Sequence, residues 1–112
     1  MYDIYMDKEC IPLCNAFNSL PGIKTFESCC GHGKAPFRIW FTVSDIDDLL
    51  IPAMAINPEY CNTPGYQITV EHSEYQPKIY FLLEGPVSKH YDHKLIIENI
   101  QKLKTGNSLG PQ

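Results

Sequence analysis

Apolar and polar residues follow two different periods along this chain, and each change of period marks an element. From Ile11 to Leu20 the apolar residues Leu13, Ala16, Phe17 and Leu20 fall at i, i+3, i+4 and i+7, with Pro12 in a first-turn position and Pro21-Gly22 closing the run. That spacing predicts a short amphipathic helix. Ile23 to Ser28 carries β-branched and aromatic residues, and Phe37, Ile39, Phe41 and Val43 alternate with Arg38, Trp40 and Thr42. The two runs predict the strands of one hairpin. Ser44 then reads as an N-cap, Asp45, Asp47 and Asp48 complement the dipole of a second helix, and Ile46, Leu49, Leu50, Ala53 and Met54 form its apolar face. Pro52 is expected to kink or shorten that helix, which Asn57-Pro58 ends. Tyr66, Ile68 and Val70 alternate as a strand, His72 to Pro77 turns, and Lys78 to Glu84 is an apolar strand, so a second hairpin follows. After Gly85-Pro86, Ser88 caps a last helix in which Tyr91, Leu95, Ile96, Ile100 and Leu103 keep helical spacing to Lys104. Tyr2 to Met6 alternates weakly and reads as an edge strand or a tethered terminus.

The order α-β-β-α-β-β-α predicts an α+β domain, an antiparallel four-stranded sheet from two hairpins with about three helices on one face. Residues 1–104 form that single domain and Thr105 to Gln112, small and polar, a flexible tail. A length of 112 residues is expected to make one domain, and a 44% hydrophobic and 20% charged composition is that of an ordinary globule with one core. The net charge of −4 excludes a general nucleic-acid surface, so an anion has to be met locally. Met1-Tyr2-Asp3-Ile4 lacks the basic and apolar regions of a signal peptide, and no stretch approaches the roughly 20 apolar residues of a membrane span. The expectation is a cytosolic protein without a membrane partner. Its five cysteines are then thiols, metal ligands or reactive thiolates rather than a disulfide framework.

The candidate chemistry lies in the turn of the first hairpin. Ser28, Cys29, Cys30, Gly31, His32, Gly33, Lys34 and Arg38 put two thiols, an imidazole, two glycines and two cations into one short stretch. Glycines at 31 and 33 can take positive φ and turn successive N–H groups toward one point, beside which the two cations add charge. An anionic or nucleotide-like small molecule is the expected ligand, with Trp40 on the strand face of Arg38 as a stacking surface. Tyr66, Tyr75 and Tyr80 read as core or cross-strand residues. The bland alternative is a tight turn whose thiols are small buried hydrophobes.

Two chemical alternatives use the same turn. Cys29 or Cys30, activated by His32, could act as a nucleophile with loop N–H groups as an oxyanion site and Glu27, Glu71 or Glu84 orienting the imidazole. Cys10, Cys14, Cys29, Cys30 and His32 also offer zinc donors, although adjacent cysteines on an extended backbone point apart. His90 and His93 are helically spaced and read as a solvated face. No cofactor is expected. A shallow pocket on a small protein is commonly completed by a second copy, so a homodimer is expected.

The stretches Leu13 to Leu20, Ile23 to Gly31 and Phe37 to Phe41 resemble the opening of the third-step methyltransferase family of wybutosine tRNA modification, which has a helix, a strand, a Ser-Cys-Ser-Gly-Arg turn and a return strand. The resemblance covers about a third of the chain. Ser28, Cys29 and Gly31 carry over, and His32 stands where the family has Arg. It implies a small-molecule or nucleotide pocket at the hairpin turn, without extending to methyl transfer. Glu27 to Phe37 is also similar to small proteins of bacteriophages and bacteria that carry a Ser-Cys-Cys-Gly-His-Gly signature.

Overall fold

The computed structural model describes residues 8–31, 34–57, 59, 65–75, 77–87 and 93–106. A 3-10 turn, Lys8–Cys10, leads into α1, Ile11–Asn18, whose Pro12 lies in the first turn where its missing N–H costs no helical bond. Strands β1, Ile23–Cys29, and β2, Arg38–Val43, form the first hairpin. A 3-10 turn, Ile46–Leu49, runs into α2, Leu50–Ala55, and β3, Gln67–His72, and β4, Ile79–Glu84, form the second hairpin. The chain closes with α3, Lys94–Lys104. The predicted class and element order are those observed.

The sheet order is β1-β2-β4-β3 with every neighbour antiparallel, so β2 and β4 are central and the two hairpins join through them. Phe41, fully buried on β2, meets the Phe17 ring of α1 edge-on at 5.1 Å and lies nearly parallel to Phe81 of β4 at 5.8 Å. Ile39 and Leu83 extend this layer, and Ile96 and Ile100 of α3 close it. Two polar links fix the helices to their places. Asn18 donates to Thr25 Oγ1 and accepts from the Thr25 N–H, both at 2.8 Å, which ties the end of α1 to β1. Buried Asn99 donates to the Ala55 carbonyl at 3.0 Å and so satisfies an orphan acceptor at the end of α2. All three helices bury their apolar residues in this one cluster, and no described helix covers the opposite face of the sheet. Among the described residues no helix is long and apolar enough to cross a membrane.

The second helix departs from expectation in register. Asp45, not Ser44, is the N-cap: it accepts from the Asp47 N–H at 2.9 Å while Asp48 accepts from the Asp45 N–H at 2.9 Å, a reciprocal capping box. The turn that follows is 3-10, and its tighter winding rotates the buried face away from the predicted one. Ile46 and Leu50 are therefore 66% and 62% exposed, while Leu49 of the predicted face does pack on the core, together with Ile51, Ala55 and Ile56 and beside the buried Pro52. Pro52 falls in the first turn of α2, where its missing N–H costs no helical bond, so the expected mid-helix interruption does not arise. In the last helix Leu95 is 40% exposed, because Ile96, Ile100 and Leu103 already define the inward side. Ser88, Tyr91 and residues 107–112 lie outside the described residues, as do residues 1–7.

Candidate functional site

Strand register decides which residues of the predicted site share a face. Ile39, Phe41, Phe81 and Leu83 point into the core, so their neighbours Arg38, Trp40, Leu82 and Glu84 occupy the opposite face, bare in the sense that no described helix lies on it, with Leu82 buried among its neighbours at 8% exposure. At the end of the sheet that carries the loop, Cys29 pairs with Arg38, Arg38 with Glu84 and Glu84 with Gln67, one row across all four strands. Arg38 Nε donates to Glu84 Oε2 at 2.8 Å, and Gln67 Nε2 reaches Glu84 Oε1 at 3.4 Å. The Arg38 and Glu84 side chains stay 39% and 24% exposed. Glu84, considered from sequence as an orienting partner for His32, is thus the partner of Arg38. Trp40 lies in the next row, between Glu27 and Leu82. A bulge at Phe26 turns that ring onto the same face, edge-on to Tyr80 at 5.6 Å.

Inside the loop, Gly31 has the expected positive φ, 80°, and its backbone organises the turn. The Lys34 and Ala35 N–H groups both donate to the Gly31 carbonyl at 3.0 Å, and the Gly31 N–H donates to Cys29 Sγ at 3.4 Å. Three loop N–H groups are therefore used within the loop. Among the described residues at this turn Lys34 is exposed, and the Arg38 side chain, with its Nε on Glu84, is 39% exposed. His32 and Gly33 lie outside the described residues.

The adjacent cysteines point apart. Cys29 is half-buried on the bare face, whereas Cys30 is 4% exposed within the core. Cys10 and Cys14 are fully buried at α1, and burial pushes the Cys14 thiol up, opposed in part by the side chains of Ser28 and Thr25. Cys10, Cys14, Cys29 and Cys30 are free thiols, and no three or more His, Cys, Asp or Glu side chains converge as a metal site among the described residues. The candidate zinc donors are split between the core and the open face.

Sequence reasoning missed one pair at this end of the sheet. His93, assigned to a solvated face, is 5% exposed at the N-cap position of α3. Its Nδ1 shares a 2.7 Å hydrogen bond with the Tyr66 hydroxyl, and its ring lies 4.1 Å from that of Phe37, the residue before β2. The Gly85 N–H donates to the Phe37 carbonyl at 2.8 Å, and a Cβ at Gly85 would meet Tyr66 Cε2 at 2.7 Å. The signal was present: His93, Ile96 and Ile100 stand at i, i+3 and i+7, one buried helix face. His90 lies outside the described residues.

An apolar groove of about 200 Å³ opens at the opposite end of the sheet, lined by Leu20, Pro21, Leu50 and Ile51 with Asp47 and Asp48 at its edge. It shares no residue with the loop. Compared with protein-family models, with curated proteins and with solved structures, the chain matches none at a significant level.

Proposed function

We propose that this protein is a small cytosolic ligand-binding protein that holds an anionic, nucleotide-like molecule where the Cys29–Lys34 loop meets the bare face of the sheet. One observation carries the reading: Arg38, Glu84 and Gln67 form a fixed row of donors and acceptors with the Trp40 ring one row away on the same face. A planar, hydrogen-bonding ring fits such a row, which offers both signs of polar group, with an aromatic side chain as its wall. Charge comes from Lys34 and from the terminal amino groups of Arg38, since the loop N–H groups at 31, 34 and 35 serve the turn. The ligand is accordingly held by side chains more than by a backbone cradle.

Titrating the protein with nucleoside monophosphates while recording amide NMR shifts tests the reading. Shifts at residues 28–38 and at Glu84, weakened in Lys34→Ala and Arg38→Ala and by added salt, are the expected result. Shifts confined to other parts of the sheet would overturn it.

A second reading, a thiol enzyme acting on the same kind of molecule, has one observation in its favour: among the described cysteines Cys29 is the partly exposed one, and its sulfur accepts the Gly31 N–H at 3.4 Å. Recovery of the bound molecule unchanged after denaturation selects the binding protein; a converted molecule, abolished in Cys29→Ser, selects the enzyme.

A further inference from the structure

We infer that the bare face of the sheet is a two-fold interface on which a second copy of this chain packs, sheet against sheet. Its centre is aromatic and apolar, formed by Phe26, Trp40 and Tyr80 around the buried Leu82, with Arg38 and Glu84 at the loop end and Lys24 and Glu71 at the far corners. That is the composition of an interface core with a polar rim. Phe26 is 45% exposed although the bulge in β1 is what turns it outward.

The placement of charge identifies the occupant. The face carries three rows: Cys29, Arg38, Glu84 and Gln67 at the loop end, Glu27, Trp40, Leu82 and Thr69 in the middle, and a far row that starts at Lys24 and ends at Glu71. A two-fold axis between the sheets and parallel to the strands lays β1 over β3 and β2 over β4 of the second copy. Lys24 then faces Glu71, Trp40 faces Leu82, and Arg38 faces Glu84, so the ion pair of each copy becomes part of an alternating ring of four charges. Glu27 meets Thr69 and no other carboxylate. An axis across the strands would instead set Lys24 against Cys29 and Gln67 against Glu71, with no charge matched. Within one copy Lys24 and Glu71 stand three strand spacings apart, about 14 Å, and cannot pair. Packed sheets are rotated by roughly 30°, a displacement at the corners that long Lys and Glu side chains can span.

Four strands of six residues present a plane of roughly 400 Å², below the roughly 800 Å² per partner of a standard interface, so the association is weak and concentration-dependent. The interface shares Arg38, Glu84 and Trp40 with the ligand reading, but its test reverses charges only in the far row, at Lys24 and Glu71, and is run without ligand, so either reading can fail alone.

Sedimentation equilibrium of the full chain, from about 5 to about 500 μM, reads it out. The parent is expected to dimerise, and Lys24→Glu and Glu71→Lys are each expected to weaken the dimer at least about tenfold. An equimolar mixture of the two variants is expected to recover association, because every facing pair is then again of opposite sign. Both positions are on the surface of strands, and far-UV circular dichroism checks that each variant is folded. A parent that stays monomeric, a dimer indifferent to both reversals, or a mixture that fails to recover would each overturn the interface.

Discussion

Gly85→Ala tests whether the loop end of the sheet is built on the Tyr66–His93 pair. The new methyl carbon would lie 2.7 Å from Tyr66 Cε2, 3.1 Å from Cδ2 and 3.3 Å from Cζ, so the ring has to move. Its hydroxyl is held at 2.7 Å from His93 Nδ1, a distance that leaves no slack, and His93 is fixed in turn by Phe37. Displacing the ring breaks that bond, at a cost of about 1–2 kcal/mol for a buried polar pair, and loosens packing around a half-buried aromatic by about 1 kcal/mol more. The expected loss is about 2–3 kcal/mol, or roughly 10 °C in Tm for a domain of this size. Tyr66→Phe removes the hydroxyl alone and should cost about 1–2 kcal/mol. If the methyl acts by breaking the bond, the two losses overlap, and Gly85→Ala with Tyr66→Phe should fall short of the sum by about 1 kcal/mol. Urea unfolding of the parent, both single variants and the double variant gives the four free energies. Additivity would refute the reasoning, since the ring would then have kept its hydrogen bond beside the methyl group.

Two further outcomes follow from the geometry. Gly22 has φ 76°, and a Cβ there would fall on the Asp48 carboxylate, 2.7 Å from its Cγ, so Gly22→Ala should destabilise by about 2 kcal/mol, through backbone strain and loss of the capping box together, against about 1 kcal/mol for Asp48→Ala in the same thermal melts. Burial holds the Cys14 thiol above its ordinary value of 9.0, so the unfolded chain releases this proton first as pH rises; the stability it contributes is complete below pH 9 and is lost through the alkaline range above it, where Cys14→Ala should show a flatter decline.

The bare turn sequence Cys29 to Lys34 announced a concentration of chemical groups, and its position between two alternating runs placed it correctly at a hairpin. What the turn does with those groups was not legible. The Gly31 carbonyl takes two N–H groups and the Cys29 sulfur a third, a matter of local hydrogen-bond accounting that residue types leave open. Arg38 read as a free cation because Glu84, 46 positions later, becomes its neighbour only when β2 pairs with β4. The second helix misled for a different reason: three aspartates within four residues each make a plausible cap partner, and the backbone chose Asp45 with Asp48, which set a 3-10 turn and rotated the face.

The three helices and four strands, their order and the α+β class were legible in the chain alone, because period-2 and period-3.6 patterns record which side of each segment is to be buried, and that information is local; the two 3-10 turns were not. The contents of the bare face and of the loop end came from packing between segments. Strand order and register are set by packing between segments far apart in the chain, and they brought Arg38 to Glu84, Tyr66 to His93 and Trp40 beside Leu82.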